Sequence, residues 1–550
     1  MKALPLDFKS PFQMEKNIGF IIFLLTCAWM ILLTQGLPFA DLDDWDRVLL
    51  SQDISWPVLI ENLIVPWSKA HHWISQHDLA DQVLGRRLVL GIALKSLVSV
   101  FQFHPFPYYF FTKALFFSGT IAILFFMLLA VTHRLPYALL GSFFFVMVPA
   151  HYIHAIWISA SETMLHFFMV VALWIYVKLV ENQTKKFWVW LILLFVAGWL
   201  AIKTKETALI LPLFLGCFTV TQLKQWKSQP LKLSILISSI LYMTFLFIPI
   251  EHLQGEGLPG MKFHWTTIQR LVFQNYHTAF EDETANAFIS LEQFWPVSIA
   301  RTFTAPLLWT FVILFGLYVI DKAKNKSARF VNHPFIQISL IWIPLELLFM
   351  GFFQADPRYF SGTMIPLTLV GARFTQSVLV RYGGFIKKAL AALVIGSLMY
   401  NFYVNVQHVI WFRQQAGKKA NAFLNISKTL YEDQYPQKKL SLRDLGLYHA
   451  AGYIPDDHRP RLENIIYFSP LEYEEWNQTN SPNLQDFERM AKHDVRYYVT
   501  ESLEDLSDHP NVKLIKILDR MNSSSVFEHL LYHFKRKKPA VYYIYKYVGQ

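Results

Sequence analysis

Four aspartates, Asp41, Asp43, Asp44 and Asp46, follow directly after the first apolar run of the chain. Carboxylates packed this closely repel one another, so one of them can keep its proton. A carboxylate held in a cleft can act as a general base, and a pair of carboxylates can bind a divalent cation. A solvated acidic turn or a helix cap accounts for the same residues without any chemistry, because Asp is a common N-cap. The residues alone leave these alternatives open.

Basic residues that could face such carboxylates occur further along the chain, at Lys203, at Lys205-Glu206 and at Arg358-Tyr359. Arg suits phosphate because its planar guanidinium matches two phosphate oxygens, whereas Lys acts as a compact positive charge. The alternative for Lys205 and Glu206 is an interfacial ion pair at a helix end. The alternative for Arg358 is an ordinary anchor at the membrane interface.

The composition shows what kind of structure must position these residues. The chain has 550 residues, of which 54% are hydrophobic and 16% charged, against about 25% charged residues in soluble domains. The apolar residues come in long runs, which predicts an integral membrane protein. The net charge of +10 then reflects basic cytoplasmic loops and not binding of nucleic acid. Both cysteines, Cys27 and Cys217, lie in apolar runs, so we expect no disulfide framework and no Cys-based metal site.

We predict a polytopic α-helical membrane protein with about eleven transmembrane helices, because a spanning helix needs about 20 mostly apolar residues. The first run is read as a retained helix and not as a signal peptide, since residues 34–38 make a poor cleavage site. The predicted spans are Ile18–Gln35, Tyr108–Val131, Leu135–Ala150, Met164–Val180, Phe187–Ile202, Ala208–Gln222, Leu233–Ile250, Thr302–Ile320, Phe335–Phe353, Phe360–Val378 and Ala389–Val404.

The orientation follows from the basic residues, which gather in every alternate turn. This pattern predicts a cytoplasmic N-terminus and a multi-pass protein of a plasma membrane. The absence of an endoplasmic retention signal and of cysteines outside the apolar runs favours a bacterial inner membrane. The pattern of basic residues makes residues 1–404 a transmembrane domain with long external loops at 36–107 and 251–301. Residues 405–550 become an extracytoplasmic α/β domain. The basic residues are Lys2, Lys9, Lys16, Arg134, Lys178, Lys185, Lys186, Lys224, Lys227, Lys232, Lys322, Lys324, Lys326, Arg329, Arg381, Lys387 and Lys388.

A first helix followed at once by an acidic pair in a long external loop resembles the GT-C glycosyltransferases. This superfamily includes the protein O-mannosyltransferases and the bacterial lipid A aminoarabinose transferases. Arg86-Arg87-Leu88 with His104–Tyr109 is similar to the stretch leading into the second helix of the O-mannosyltransferases that carry tetratricopeptide repeats. Residues 149–162 resemble their loop between the third and fourth helices, although Ala160 and Ser161 stand where that family commonly has Arg.

Two further elements extend the resemblance over about residues 1–380. Lys205-Glu206-Thr207 resembles the family's Lys-Glu element, and Asp356-Pro357-Arg358-Tyr359 resembles its Arg-Tyr element. The topology derived from the basic loops puts all these elements at the external face. The tail after residue 404 shows no tetratricopeptide pattern, so the resemblance concerns the membrane core alone.

The resemblance implies a transferase that moves a sugar from a polyprenyl-phosphate donor to an acceptor hydroxyl outside the cytoplasm. Asp43 is then expected to be the general base and Asp44 its partner, either a second acid or a metal ligand, with Asp41 in reserve. The expected contacts to the donor phosphate are Lys205, Arg358, Arg87 and Lys203. The expected substrate-orienting residues are His151, Glu162, Glu206 and Tyr359.

The cofactor is left open, with a divalent metal ion at Asp43 and Asp44 as the one candidate. The expected partners are a polyprenyl-phosphate-linked sugar, membrane lipids and an acceptor lipid, glycan or protein, but no nucleic acid. Two alternatives remain, a polysaccharide polymerase or ligase and a lipid or sugar transporter. A transporter is expected to carry charges at the bilayer midplane and two related halves, and no such symmetry is visible in the sequence. Glu346 lies inside a predicted span without matching any motif.

Overall fold

The structure is a computed structural model that describes the larger part of the helical region and four strands of the tail. All statements below concern these residues. They are 13–37, 39, 47–48, 51, 56–64, 88–102, 104–147, 151, 155–181, 186–226, 229–247, 316, 333–352, 362–399, 429, 466–468, 497–500, 512–519 and 541–547.

Helices account for most of the described chain. One of them, α4, contains a π-helical turn at Phe110–Ala114. Short 3-10 turns at Glu206–Leu209 and Leu223–Trp226 precede and follow α8. The helices are α1 (Gln13–Thr34), α2 (Trp56–Ile64), α3 (Leu88–Phe101), α4 (Pro105–Thr132), α5 (Leu135–Val146), α6 (Glu162–Glu181), α7 (Phe187–Thr204), α8 (Ile210–Thr221), α9 (Pro230–Phe247), α10 (Pro334–Phe352), α11 (Met364–Arg381) and α12 (384–399).

Ten of the eleven predicted spans contain a helix, and the span predicted at Thr302–Ile320 lies outside the described residues except for Gly316, which is helical. Among the described residues, four helices, α1, α4, α6 and α7, are long and apolar enough to cross a membrane, and shorter apolar segments occur in α3, α5, α8, α9 and α10. The predicted count of eleven therefore stays a prediction, whereas four candidate spans are observed.

The outer surfaces of α1 and α7 are apolar. Phe20, Leu24 and Leu25 of α1 are about half exposed or more, and Trp188 and Ile192 of α7 are exposed in the same way. Their spacing puts them on one side of each helix. Contiguous exposed apolar surface of this kind needs an apolar partner, and on long apolar helices that partner is lipid. The chain is thus a polytopic helical membrane protein.

Helix α4 lies at the centre of the bundle, where it contacts α1, α5, α6 and α11, and α6 packs along α7. Small residues let helices approach closely. A methyl group added at Gly198 of α7 would come within 2.6 Å of the Met243 sulfur on α9, and one at Gly119 of α4 within 2.7 Å of the Phe167 ring on α6. These glycines therefore define two of the closest contacts between helices.

The contacts distinguish two ends of the bundle. At the first, which we call the Glu162 end, the start of α6 meets Lys205, the residue after α7. At the second, the His333 end, the residue before α10 meets the turn after α4, where His133 lies. Basic residues of the turns predicted to be cytoplasmic lie at the His333 end, namely Arg134, Lys178, Lys186, Lys232 and Arg381. The structure thus gathers these residues at one end, while the side of the membrane on which that end lies stays a prediction.

The turn between α4 and α5 is unusually short and depends on one backbone conformation. His133 ends α4 with φ 52°, in the left-handed region, and its N–H donates to the Leu129 carbonyl. Pro136 follows in the first turn of α5, a position that proline favours. The side-chain amide of Gln376 on α11 donates to the Thr132 carbonyl, so this turn is tied to a third helix.

Part of the loop 36–107, which is predicted to be external, packs on the Glu162 end. Phe39 contacts the Tyr108 ring edge-to-face at 5.3 Å, and both belong to an apolar cluster with α3 and with Ile156 and Ile158. Lys95 of α3 is buried and donates to the Ser51 carbonyl. Helix α3 is a short helix that packs against this cluster.

The tail contains a four-stranded sheet. Strands β1 (Ile466–Phe468), β2 (Tyr497–Thr500), β3 (Val512–Asp519) and β4 (Val541–Tyr547) lie in the order β1-β2-β4-β3. The β1–β2 pair is parallel and the other pairs are antiparallel, with a register shift between Leu514 and Lys516 of β3. All four strands lie within residues 405–550, the segment predicted to be an α/β domain. The division into domains at residue 404 remains a prediction.

Candidate functional site

A buried ion pair joins two of the residues that the sequence analysis singled out. Lys205 Nζ donates to Glu162 Oε1, and the two residues are 1% and 4% exposed. Glu162 begins α6. Lys205 follows α7 in an extended conformation (φ −163°, ψ 147°). Because α7 ends here, the Lys205 side chain reaches Glu162 at the start of α6.

The segment 155–161 before Glu162 binds two more cations. Arg47 Nη1 donates to the Ser159 carbonyl, and Lys113 Nζ donates to the Ala160 carbonyl. Lys113 is completely buried, and Arg47 is 9% exposed. Because these two carbonyls are only a few residues from Glu162, the cations approach one another at a single end of the bundle.

Lys203 adds a fourth cation to the same end. It lies in the last turn of α7, two residues before Lys205, and is fully buried. The described side chains buried here include the cations Arg47, Lys113, Lys203 and Lys205 and the carboxylate Glu162. Buried charges are costly unless they are paired and hydrogen-bonded. Buried cations at a membrane surface can bind an anionic group, either a protein carboxylate or the phosphate of a ligand.

Two histidines lie beside this cluster. The His151 and His166 rings are 5.8 Å apart in an edge-to-face arrangement, and the His151 ring is 4.2 Å from Phe145. Both histidines line a small pocket with Phe117, Thr120 and Thr163. His166 is on α6, one helical turn from Glu162, so this pocket adjoins the ion pair.

Glu346 of α10 reaches the same region. A methyl group added at Gly362 would lie 2.7 Å from Glu346 Oε1 and 3.7 Å from His166 Nε2. Glu346 is 4% exposed. A carboxylate from α10, an imidazole from α6 and the backbone just before α11 therefore meet at one point.

The structure describes part of the predicted site. It brings Glu162 and Lys205 together and places His151 and Lys203 at the same end. Glu206 begins a 3-10 turn, and its side chain lies outside the described part of the structure. The other predicted site residues lie outside the described residues, namely Asp41, Asp43, Asp44, Arg87, Arg358 and Tyr359.

Sequence reasoning missed Arg47, Lys113 and His166. Lys113 carried a usable signal, because an ionisable residue inside an apolar span is commonly functional or paired. Arg47 follows the acidic run by one residue, which makes it a natural partner for those carboxylates. His166 lies within an apolar helix, where only its neighbours in space show that it adjoins the ion pair.

In the described part of the chain, no group of three or more His, Cys, Asp or Glu residues is arranged to hold a metal ion. Because Asp43 and Asp44 lie outside that part, the predicted metal alternative for these two residues is left open.

The fold and this cationic end define a polytopic helical membrane protein with a buried charged site at one end. No family model and no curated protein matches the chain. Among solved structures, the chain is similar to ArnT from Cupriavidus metallidurans, whose crystal structure contains bound undecaprenyl phosphate. The identity is 11%, the match covers 96% of this chain and 97% of that chain, and the TM-score is 0.41. A similarity this distant assigns no activity.

Proposed function

We propose that the protein is a membrane glycosyltransferase of the GT-C type, which moves a sugar from a polyprenyl-phosphate donor to an acceptor hydroxyl at the Glu162 end. The observation that carries this proposal is the buried pair of Lys205 and Glu162. Two motif elements that the sequence resemblance singled out independently are in direct contact there, in a setting rich in cations. The proposal places this end outside the cytoplasm, in a bacterial inner membrane.

The reaction needs a base and a charge-stabilising group. In the proposed mechanism Asp43 takes the proton of the acceptor hydroxyl as its oxygen forms a bond to C1 of the sugar. The bond from C1 to the phosphate oxygen breaks, and the phosphate leaves with the electron pair. Asp44 is the second carboxylate, or a metal ligand beside Asp43.

Lys205 and Arg358 are proposed to neutralise the charge that grows on the departing phosphate, with Arg87 and Lys203 as further contacts. Glu162 holds the Lys205 ammonium in place and so acts as a positioning residue. We further propose that His151, Glu206 and Tyr359 orient the substrate. The proposed acceptor is a lipid, a glycan or a protein.

One observation favours a second candidate function, transport of a lipid or sugar. Glu346 is buried within an apolar helix near His166 and Gly362. Ionisable residues at such positions are common in proton-coupled transporters. In a transporter Glu346 would be essential and the Asp43–Asp44 pair dispensable, so the two candidates make opposite predictions.

The test compares envelope glycans by mass spectrometry from cells with the native chain and cells with Asp43→Asn plus Asp44→Asn. Glu61→Gln is the matched control, because Glu61 is an exposed carboxylate of α2 in the same predicted external loop. Expression and membrane insertion of all three chains are matched first. We expect one sugar to disappear from a lipid, polymer or protein in the double variant and to persist in the control.

An unchanged glycan profile in the double variant, together with an altered profile on deletion of the whole chain, would overturn the roles of Asp43 and Asp44. A Glu346→Gln variant then separates the two candidates. If that variant reproduces the deletion profile while the aspartate variant does not, transport is the better account.

A further inference from the structure

The His333 end contains a second group of converging polar side chains. His333 directly precedes α10, and its ring lies 6.5 Å from the ring of His133 in the turn after α4. His333 stacks on Phe335 at 5.3 Å, and Phe335 stacks on Trp174 of α6. Helices α4, α6 and α10 therefore contribute to one small region, which lies at the end of the bundle away from the Lys205–Glu162 pair.

A hydrogen bond to the His333 ring determines which of its two nitrogens carries the proton. The backbone N–H of Phe335 donates to His333 Nδ1, so Nδ1 is an acceptor and caps the start of α10. In a neutral imidazole the proton must then be on Nε2. His333 is 8% exposed, and its Nε2 has no hydrogen-bond partner among the described residues. A buried donor is thus left without an acceptor.

The charged and titratable groups that act on His333 are all basic among the described side chains. Burial, together with repulsion by protonated His133, by Arg373 and by Lys178, lowers the pKa of His333 to about 3. Burial and Arg373 also lower the pKa of His133. Both rings are therefore neutral at pH 7, and the described charged side chains nearest His333 are the cations Arg373 and Lys178.

We propose that this region, formed by His133, His333, Arg373 and Lys178, binds a phosphate group, supplied by an anionic phospholipid of the adjacent leaflet. A phosphate oxygen would accept the Nε2–H of His333, while Arg373 and Lys178 supply the complementary charge. His133 is exposed and His333 is buried. The site is therefore open to the surface at His133, and the Nε2–H of His333 lies at its inner end. Basic pockets between membrane helices at a cytoplasmic face bind anionic headgroups in this manner, and the basic loops predict that face here.

This binding site goes beyond the proposed glycosyl transfer. It lies at the opposite end of the bundle and shares no residue with the transfer site. Its test measures lipid binding alone, so failure of one proposal leaves the other standing.

The experiment measures retention of phosphatidylglycerol by the purified, delipidated full chain, using native mass spectrometry. The test variant is His333→Asn, because the Asn side-chain oxygen can still accept the Phe335 N–H at the helix start whereas the Nε2 donor is lost. His133→Asn is a second variant, because Asn tolerates the left-handed conformation at that position. Lys186→Gln is the matched control, since Lys186 is an exposed cation at the same end outside the cluster.

We expect the wild type and Lys186→Gln to retain one tightly held phosphatidylglycerol, and His333→Asn to lose about tenfold in affinity, as for one charge-assisted hydrogen bond. His133→Asn is expected to weaken binding less. The unfolding temperatures of all variants are compared. If one histidine variant is misfolded, the conclusion is drawn from the other histidine variant.

A second arm adds inorganic phosphate to the delipidated chain. If phosphate displaces the lipid, the site binds the lipid headgroup; if phosphate binds and the lipid does not, the site binds free phosphate. Either result supports a phosphate site, provided that His333→Asn weakens the binding. Equal retention of lipid and equal phosphate binding by the wild type and both histidine variants would overturn the proposal.

Discussion

At the scale of single residues, Glu162 and Lys205 are two buried charges that depend on each other. Removing one partner of a buried ion pair leaves the other charge without compensation, which typically costs about 3–5 kcal/mol. We predict this loss in the free energy of unfolding for Glu162→Gln, measured by equilibrium unfolding in mixed micelles. The double variant Glu162→Gln with Lys205→Met is expected to recover part of that loss, because it removes both charges of the pair.

The same cycle separates stability from function. Under the proposed mechanism the double variant stays inactive although it regains stability, because the donor phosphate loses Lys205. Glu61→Gln, on an exposed carboxylate, should leave both stability and glycans unchanged. Equal unfolding free energies for the wild type and the Glu162→Gln variant would mean that the pair contributes nothing to stability.

The residues of this pair also show how far sequence could predict the site. Glu162 and Lys205 stood out because each matched a motif element, and the structure brings them into contact. Arg47 and Lys113 make their contacts with backbone carbonyls at Ser159 and Ala160. A carbonyl acceptor leaves no mark in the side-chain sequence, so these two cations could be found only in three dimensions.

At the scale of secondary-structure elements, the backbone before α11 can lie close to α10 because Gly362 has no side chain. A methyl group at Gly362 would lie 2.7 Å from Glu346 Oε1, which is too close for a real contact. We predict that Gly362→Ala lowers the free energy of unfolding by about 1–3 kcal/mol, as overpacking does in tightly packed cores. Thermal unfolding of the purified chain measures the effect.

Gly396 of α12 supplies the matched control. A methyl group there meets nothing within 4 Å, and Ala is favoured over Gly inside a helix by about 0.5–1 kcal/mol. Gly396→Ala is therefore expected to be neutral or stabilising. A Gly362→Ala chain as stable as the Gly396→Ala chain would show that Glu346 can move away from the start of α11 at little cost.

Element positions were more predictable than element ends. Apolar runs in the sequence predicted the positions of α5 and α8, because a helix surrounded by lipid or by other apolar helices needs a continuous apolar sequence. The run Leu135–Ala150 predicted a longer helix than Leu135–Val146, since hydropathy does not register where the chain leaves the helix. The π-helical turn at Phe110–Ala114 was not predicted, because no sequence pattern distinguishes it from an α-helical turn.

At the scale of the whole molecule, the two ends of the bundle carry different chemistry, and their orientation can be measured. We predict that a cysteine replacing Glu61 reacts with a membrane-impermeant maleimide in intact cells, whereas a cysteine replacing Lys186 reacts only after permeabilisation. Glu61 and Lys186 are both exposed. The background is a chain with Cys217→Ser, because Cys217 is the exposed native cysteine. The reverse labelling pattern would invert the topology and place the proposed transfer site in the cytoplasm.

The buried carboxylate of α10 has a consequence for biosynthesis. A charged residue at the centre of a helix raises the free energy of membrane insertion by about 2.5–3.5 kcal/mol, and α10 carries both Glu346 and Pro344. Its neighbours at that point are His166, which is synthesised earlier, and Gly362, which is synthesised later. We therefore expect α10 to enter the bilayer as part of a group, held at the translocon until α11 has emerged from the ribosome and can cover the carboxylate.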